Sequence, residues 1–213
     1  MTLAFSFMRN YFSAEMGSYH SLLSAIKACA PDDDEQHLVW RRRAYVWRKL
    51  GKVLPDGPES TRGSGAGKRY AAATIPLIAV LLRLADKYPS TEGLDAVSRA
   101  LERNIRTNPA FSRKWDAALA QAEEWDKQTR ESFRKWFNES TSQGLTSPVP
   151  KTTAPIKEDQ TYLTIAFPTP VRDDFAVRCG NTPIFTEDDI DIYVLDLDYV
   201  FLCMFHNEDF RLT

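Results

Sequence analysis

The sequence predicts a mainly α-helical protein that ends in a small β-containing region. Three observations predict it. Apolar residues recur at helical spacing in successive segments from residue 18 to about residue 139. A glycine-spaced basic loop interrupts these segments between residues 55 and 69. Beyond a Ser/Thr/Pro-rich stretch at 140–160, the pattern turns β-branched, aromatic and partly alternating.

Taken in order, residues 3–16 read as a short helix with Leu3, Phe5, Phe7, Met8, Tyr11 and Phe12 as its contacts, broken by Gly17-Ser18. Residues 18–29 read as a second, with Ser18 as N-cap and Leu22, Leu23 and Ile26 on one face. Pro31 ends it, and Asp32, Asp33 and Asp34 supply a turn and an acidic start for the next helix. That helix spans about 34–50 and is expected to bury Leu38, Tyr45, Val46, Leu50 and parts of Trp40 and Trp47, with Gly51 as its stop. A helix near 70–88 is expected to begin at Thr74 or Ile75, because Pro76 is tolerated only in a first turn. Another spans about 90–107, opened by Ser90-Thr91-Glu92.

The segment 109–139 is the strongest helix. Trp115, Ala118, Ala122, Trp125, Thr129 and Trp136 lie near heptad spacing, so a dimeric coiled coil and a single amphipathic helix packed on its own domain are both open. Residues 140–160 read as an extended linker. Residues 161–167 and 190–205 read as strands of a C-terminal β-rich module or a partner-docking tail.

Charge is distributed unevenly. From Arg41 to Leu84, ten Lys/Arg face two acids, giving +8 in a chain whose total is −2. Residues 157–213 carry twelve acids against four bases, giving −8. A concentrated cationic block is the electrostatic footprint of nucleic-acid binding. A helix that enters the major groove needs cationic and polar side chains on one side and apolar ones on the other, and residues 34–50 supply both. The following loop places glycine at alternate positions, Gly63, Gly65 and Gly67, where the backbone can approach a phosphate. Arg62, Lys68 and Arg69 would neutralise phosphates there, and Ser64 adds a hydroxyl. Helix, basic glycine-rich wing and supporting helix form the layout of a winged helix-turn-helix.

The run Trp47-Arg48-Lys49-Leu50-Gly51-Lys52-Val53-Leu54-Pro55, then Arg62-Gly63-Ser64-Gly65, then Lys68-Arg69-Tyr70 and the apolar residues 75–84, resembles the MerR family of winged helix-turn-helix regulators. Phage and plasmid excisionases share that domain. The resemblance covers about 50 to 70 residues, within 18–86. It implies DNA contacts from Trp47, Arg48 and Lys49 and from Arg62, Lys68, Arg69 and Tyr70. This chain departs from the pattern at Tyr45, at Ala71-Ala72-Ala73 and in its first helix. Pairing through a coiled coil also fits the family.

Other chemistry finds little support. Cys29, Cys179 and Cys203 form no CxxC pair and no Cys/His cluster, so neither a zinc site nor a disulfide framework is expected, and a reduced cytoplasmic setting fits best. Gly63 to Lys68 invites a phosphate-loop reading, but Arg69 stands where Ser or Thr is required and no strand precedes it. His20, His37 and His206 are isolated. The alternating acids Asp188, Asp189, Asp191, Asp196 and Asp198 read as a solvent face of a strand rather than a metal site. No apolar run is long enough to span a membrane.

The expected organisation is an N-terminal helix at 1–17, a winged helix-turn-helix at 18–86, a helical dimerisation segment at 87–140, a linker at 141–160 and an acidic β-rich module at 161–213. The expected function is transcription regulation by a homodimer on double-stranded DNA, with no catalysis and no cofactor. The candidate contacts are Arg41, Arg42, Arg43, Tyr45, Trp47, Arg48, Lys49, Arg62, Ser64, Lys68, Arg69 and Tyr70. The alternatives are an excisionase-like recombination factor and a protein–protein adaptor that uses residues 161–213. An acidic tail folding onto the basic block would inhibit DNA binding.

Overall fold

A computed structural model describes residues 19–21, 26, 34–55, 69–71, 74–88, 90–143, 160–167, 175–189 and 191–206. Helices dominate these residues, and the C-terminal part adds a three-stranded antiparallel sheet. The expected helix at 3–16, the wing at 56–68 and the linker from 144 to 159 lie outside the described residues.

The first element is a strand, β1 (Tyr19–Ser21), where a helix was expected. It pairs antiparallel with β2 (Arg69–Ala71), Tyr19 opposite Ala71 and Ser21 opposite Arg69. The pairing satisfies backbone groups between two segments that are 50 residues apart in sequence, which local periodicity cannot register. Ile26 is helical and fully buried.

Helix α1 (Asp34–Leu50) ends in a Schellman turn. The Gly51 amide donates to Arg48 and the Lys52 amide to Trp47, with Gly51 at φ 65°. The buried face of α1 is not the expected one. Trp40, Ala44 and Trp47 are buried, whereas Leu38, Tyr45, Val46 and Leu50 are exposed. Both sets have helical spacing, but two indoles remove more apolar surface from water than the smaller aliphatic side chains.

Helix α2 (Ile75–Lys87) starts where Pro76 predicts and is buried on nearly every side, as its apolar sequence requires. Ser90 caps α3 (Thr91–Thr107) by accepting from the Gly93 amide. Helix α4 (Pro109–Gln143) has 35 residues and is about 50 Å long. Its first half buries Phe111, Trp115, Ala118, Leu119 and Ala122 in the chain's own core. That part of the expected heptad seam is therefore occupied within the chain. Farther along, Phe133 and Phe137 are exposed.

The C-terminal strands pack on the helices. Strands β3 (Tyr162–Phe167), β4 (Ala176–Gly180) and β5 (Asp191–Asp196) form a sheet in the order β4-β3-β5, with both outer strands antiparallel to β3. Leu163, Ile165 and Phe167 join the same core as α2, α3 and α4. Phe167 stacks on Tyr88 at 5.6 Å, and Tyr193 meets Tyr88 edge-on at 5.3 Å.

Residues 197–206 form helix α5, correcting the expected strand over 190–205. Asp196 accepts from the Tyr199 amide at 3.0 Å and caps α5. Leu197, Val200, Phe201 and Met204 then fall on one helical face and are buried. Phe201 packs edge-on against Trp115 at 5.0 Å.

Candidate nucleic-acid interface

Three acids outside α1 hold it in place and decide which side faces outward. Asp86, near the end of α2, accepts from Trp40 Nε1 at 3.1 Å, Gln36 Nε2 at 2.9 Å and Arg43 Nη1 at 2.7 Å. Beside it, the Arg83 guanidinium lies between the Trp40 ring on α1 (5.1 Å) and the Tyr199 ring on α5 (5.7 Å). At the other end of α1, Asp95 of α3 accepts from the Val53 amide at 2.7 Å. Val53 is buried and has φ 69°, a costly conformation for a β-branched residue. The Asp95 hydrogen bond and the burial of Val53 hold that bend. Lys52 reaches Glu92 at 3.4 Å. The Glu92 carboxyl is held below its ordinary range, first by its own backbone amide and then by Lys52.

With its Trp40 side held inward, α1 presents two outward sides. One is basic. Arg41, Arg42 and Lys49 are exposed there, with Tyr45 among them and Arg48 half-buried. Spacings of three and four place Arg42, Tyr45 and Lys49 in one row and Arg41, Tyr45 and Arg48 in the next. The Arg41 guanidinium sits 5.9 Å from the centre of the Tyr45 ring. The other side is an apolar stripe of Val39, Val46 and Leu50 at spacings of seven and four, all exposed. The sequence expectation had placed Val46 and Leu50 in the core, so this stripe was missed as a surface.

The candidate contacts therefore divide. Arg41, Arg42, Tyr45 and Lys49 face outward together, with Arg48 at their edge. Arg43 is turned inward onto Asp86. Trp47 is 2% exposed and Tyr70 1% exposed, so both side chains support the fold and do not reach the surface. Burial pushes the Tyr70 phenol upward, and the nearby Arg48 charge partly offsets this. Arg69 lies in β2, paired with Ser21. Arg62, Ser64 and Lys68 lie outside the described residues.

Among the described residues, no group of three or more His, Cys, Asp or Glu is placed to hold a metal ion. No described helix is long and apolar enough to cross a membrane. The acids of the C-terminal region are partly structural. Asp198 accepts from the Thr161 amide at 2.6 Å, and Asp189 pairs with Arg178 at 3.1 Å. Comparison with protein-family models, with curated proteins and with solved structures gives no match to this chain.

Proposed function

We propose that the protein binds double-stranded DNA through the basic side of α1 and acts as a sequence-specific transcription regulator. One observation carries this reading. Arg41, Arg42, Lys49 and Tyr45 are gathered on the outward side of a helix whose inward side is fixed by Trp40 and Asp86. A helix of 17 residues is about 25 Å long and fits a major groove about 12 Å wide. Arg and Lys at its surface would engage phosphates and guanine edges, while Tyr45 would add a ring and a hydroxyl. Pairing of two copies would involve the distal half of α4, where Phe133 is exposed. Two basic helices would then address two half-sites.

Selection of the full chain against a random duplex library tests this reading. The proposal expects enrichment of a defined sequence, and loss of enrichment in Arg42→Ala/Lys49→Ala. Enrichment of no sequence by wild type, with no duplex bound at low salt, would overturn it.

A second reading has its own observation. Val39, Val46 and Leu50 give α1 an exposed apolar side that phosphate contacts do not require. That side suits a protein partner, as an adaptor would need.

A further inference from the structure

The connection between β4 and β5 is built as a rigid projection. Strands β4 and β5 flank β3 on opposite edges, so the connection that holds residues 181–189 runs from one end of β3 to the other. Gly180 lies opposite Tyr162 at one end of β3, and Asp191 lies opposite Phe167 at the other. Hydrogen bonds fasten this strap, and one of them runs from Lys114 Nζ on α4 to Asn181 Oδ1. The Ile184 amide donates to Thr164 Oγ1 at 3.1 Å, in the middle of β3. Arg178 Nη1 donates to the Ile184 carbonyl at 3.2 Å and to Asp189 at 3.1 Å. The Thr186 amide donates to Asp189 Oδ2 at 2.6 Å. A Cβ on Gly180 would lie 2.5 Å from the end of the Ile184 side chain, so the strap sits tightly on the strand it leaves.

A segment tied down this way would be expected to bury its large apolar side chains. It does the opposite. Phe185 is 57% exposed and Ile184 is 40% exposed. Glu187, Asp188 and Asp191 follow within six residues of Phe185 and are exposed as well. A preorganised aromatic ring in an acidic segment has already met much of the ordering cost of binding, and it has the character of an interface anchor.

The opposite character is found on α1. Its apolar stripe, Val39, Val46 and Leu50, is bordered by Arg42 and Lys49. The strap offers an apolar anchor in an acidic segment, and α1 offers an apolar stripe with basic residues along one side. A two-fold pairing of α1 with α1, or of strap with strap, would set like charges against each other. Charge complementarity therefore favours a head-to-tail contact.

We infer that the strap at residues 181–189 of one copy docks on the Val39/Val46/Leu50 side of α1 in a second copy, with Phe185 as the anchor. This contact does not depend on DNA binding or on pairing through α4. Each patch is small beside the roughly 800 Å² per partner of a stable complex, so the contact is weak and forms at high protein concentration. A head-to-tail contact leaves one α1 and one strap unused at the ends, so copies can add in sequence.

Complementation of two variants of the full chain tests the inference. Val46→Glu spoils the α1 stripe and leaves the strap intact. Phe185→Glu spoils the strap and leaves α1 intact. Both positions are exposed, so neither substitution disturbs the core, and thermal melts check this. Immobilised wild type is expected to bind soluble wild type weakly, and several-fold more weakly in high salt. Each variant is expected to lose binding to itself. Immobilised Val46→Glu is expected to bind soluble Phe185→Glu, because one intact strap then meets one intact stripe. Any background from α4 is common to all pairs and is subtracted. Self-binding retained by both variants, or no binding between the two, would overturn the inference. DNA binding by Phe185→Glu is read separately, so failure of the DNA reading leaves this result intact.

Discussion

The indole Nε1 of Trp40 donates to the Asp86 carboxylate at 3.1 Å, across the interface between α1 and α2. Trp40 is fully buried, and Asp86 also holds Gln36 and Arg43. Together with Asp95 and Glu92, this acid fixes α1 so that Arg41, Arg42 and Lys49 face outward. Asp86→Ala leaves a buried indole N–H without its acceptor and frees the Arg43 charge. The expected loss of stability is about 1–3 kcal/mol, read by urea denaturation. Asp86→Asn keeps an acceptor for the indole and is expected to lose less. Equal stability of wild type and Asp86→Ala would contradict the assignment.

Gly93 lies in the first turn of α3, where helix propensity alone favours alanine by about 1 kcal/mol. Here a Cβ would lie 2.2 Å from the Tyr88 ring. Tyr88 is itself held between Phe167 and Tyr193, so it has little room to yield. Gly93→Ala is expected to destabilise by about 1–3 kcal/mol through overpacking. A rise in melting temperature would show that propensity wins and that the close approach is wrong.

Burial pushes the Cys179 thiol up to about 11, from an ordinary value of 9.0. Two units mean about 100-fold less thiolate at neutral pH. Iodoacetamide at pH 7.5 is expected to label Cys179 slowly in the folded protein and rapidly in guanidinium, as followed by peptide mass spectrometry. Equal rates in both conditions would refute the half-buried placement in β4.

Asp189 is held below its ordinary carboxylate range by the Thr186 backbone amide first, with Arg178 also contributing. A folded-state value below the unfolded one stabilises the protein above the unfolded value of about 3.9. That contribution disappears as pH falls through the folded value. The stability difference between wild type and Asp189→Asn is therefore expected to be full from pH 5 to 7 and to shrink below about pH 4. A difference that stays constant down to pH 2.5 would exclude this role.

Much of the helical layout was legible because its boundaries carry local chemistry. Gly51, Pro76 and Ser90 mark α1, α2 and α3 within one or two residues of where they lie. The basic block was legible as composition, but the division within it was not. Which arginine points outward depends on Asp86, 43 residues beyond Arg43, and no local pattern contains that information. The buried side of α1 was misassigned because Leu38, Val46 and Leu50 compete at helical spacing with Trp40 and Trp47. Strand β4 was missed because it is five residues long and carries Arg178 in its middle. Helix α5 was hidden by an acidic, aromatic run that looks like an alternating strand until Asp196 is recognised as a cap. The strap's exposed Phe185 carries no sequence signal, since only the crossing over β3 places it outside.

The salt dependence of DNA affinity tests the central claim most directly. Binding of the full chain to duplex DNA is measured at several salt concentrations, beside Arg42→Ala/Lys49→Ala. The account predicts a steep fall of affinity with salt, and a slope of log affinity against log salt that is shallower by about two in the variant. Identical slopes for wild type and variant, or no binding by wild type at low salt, would contradict a DNA-binding role for the basic side of α1.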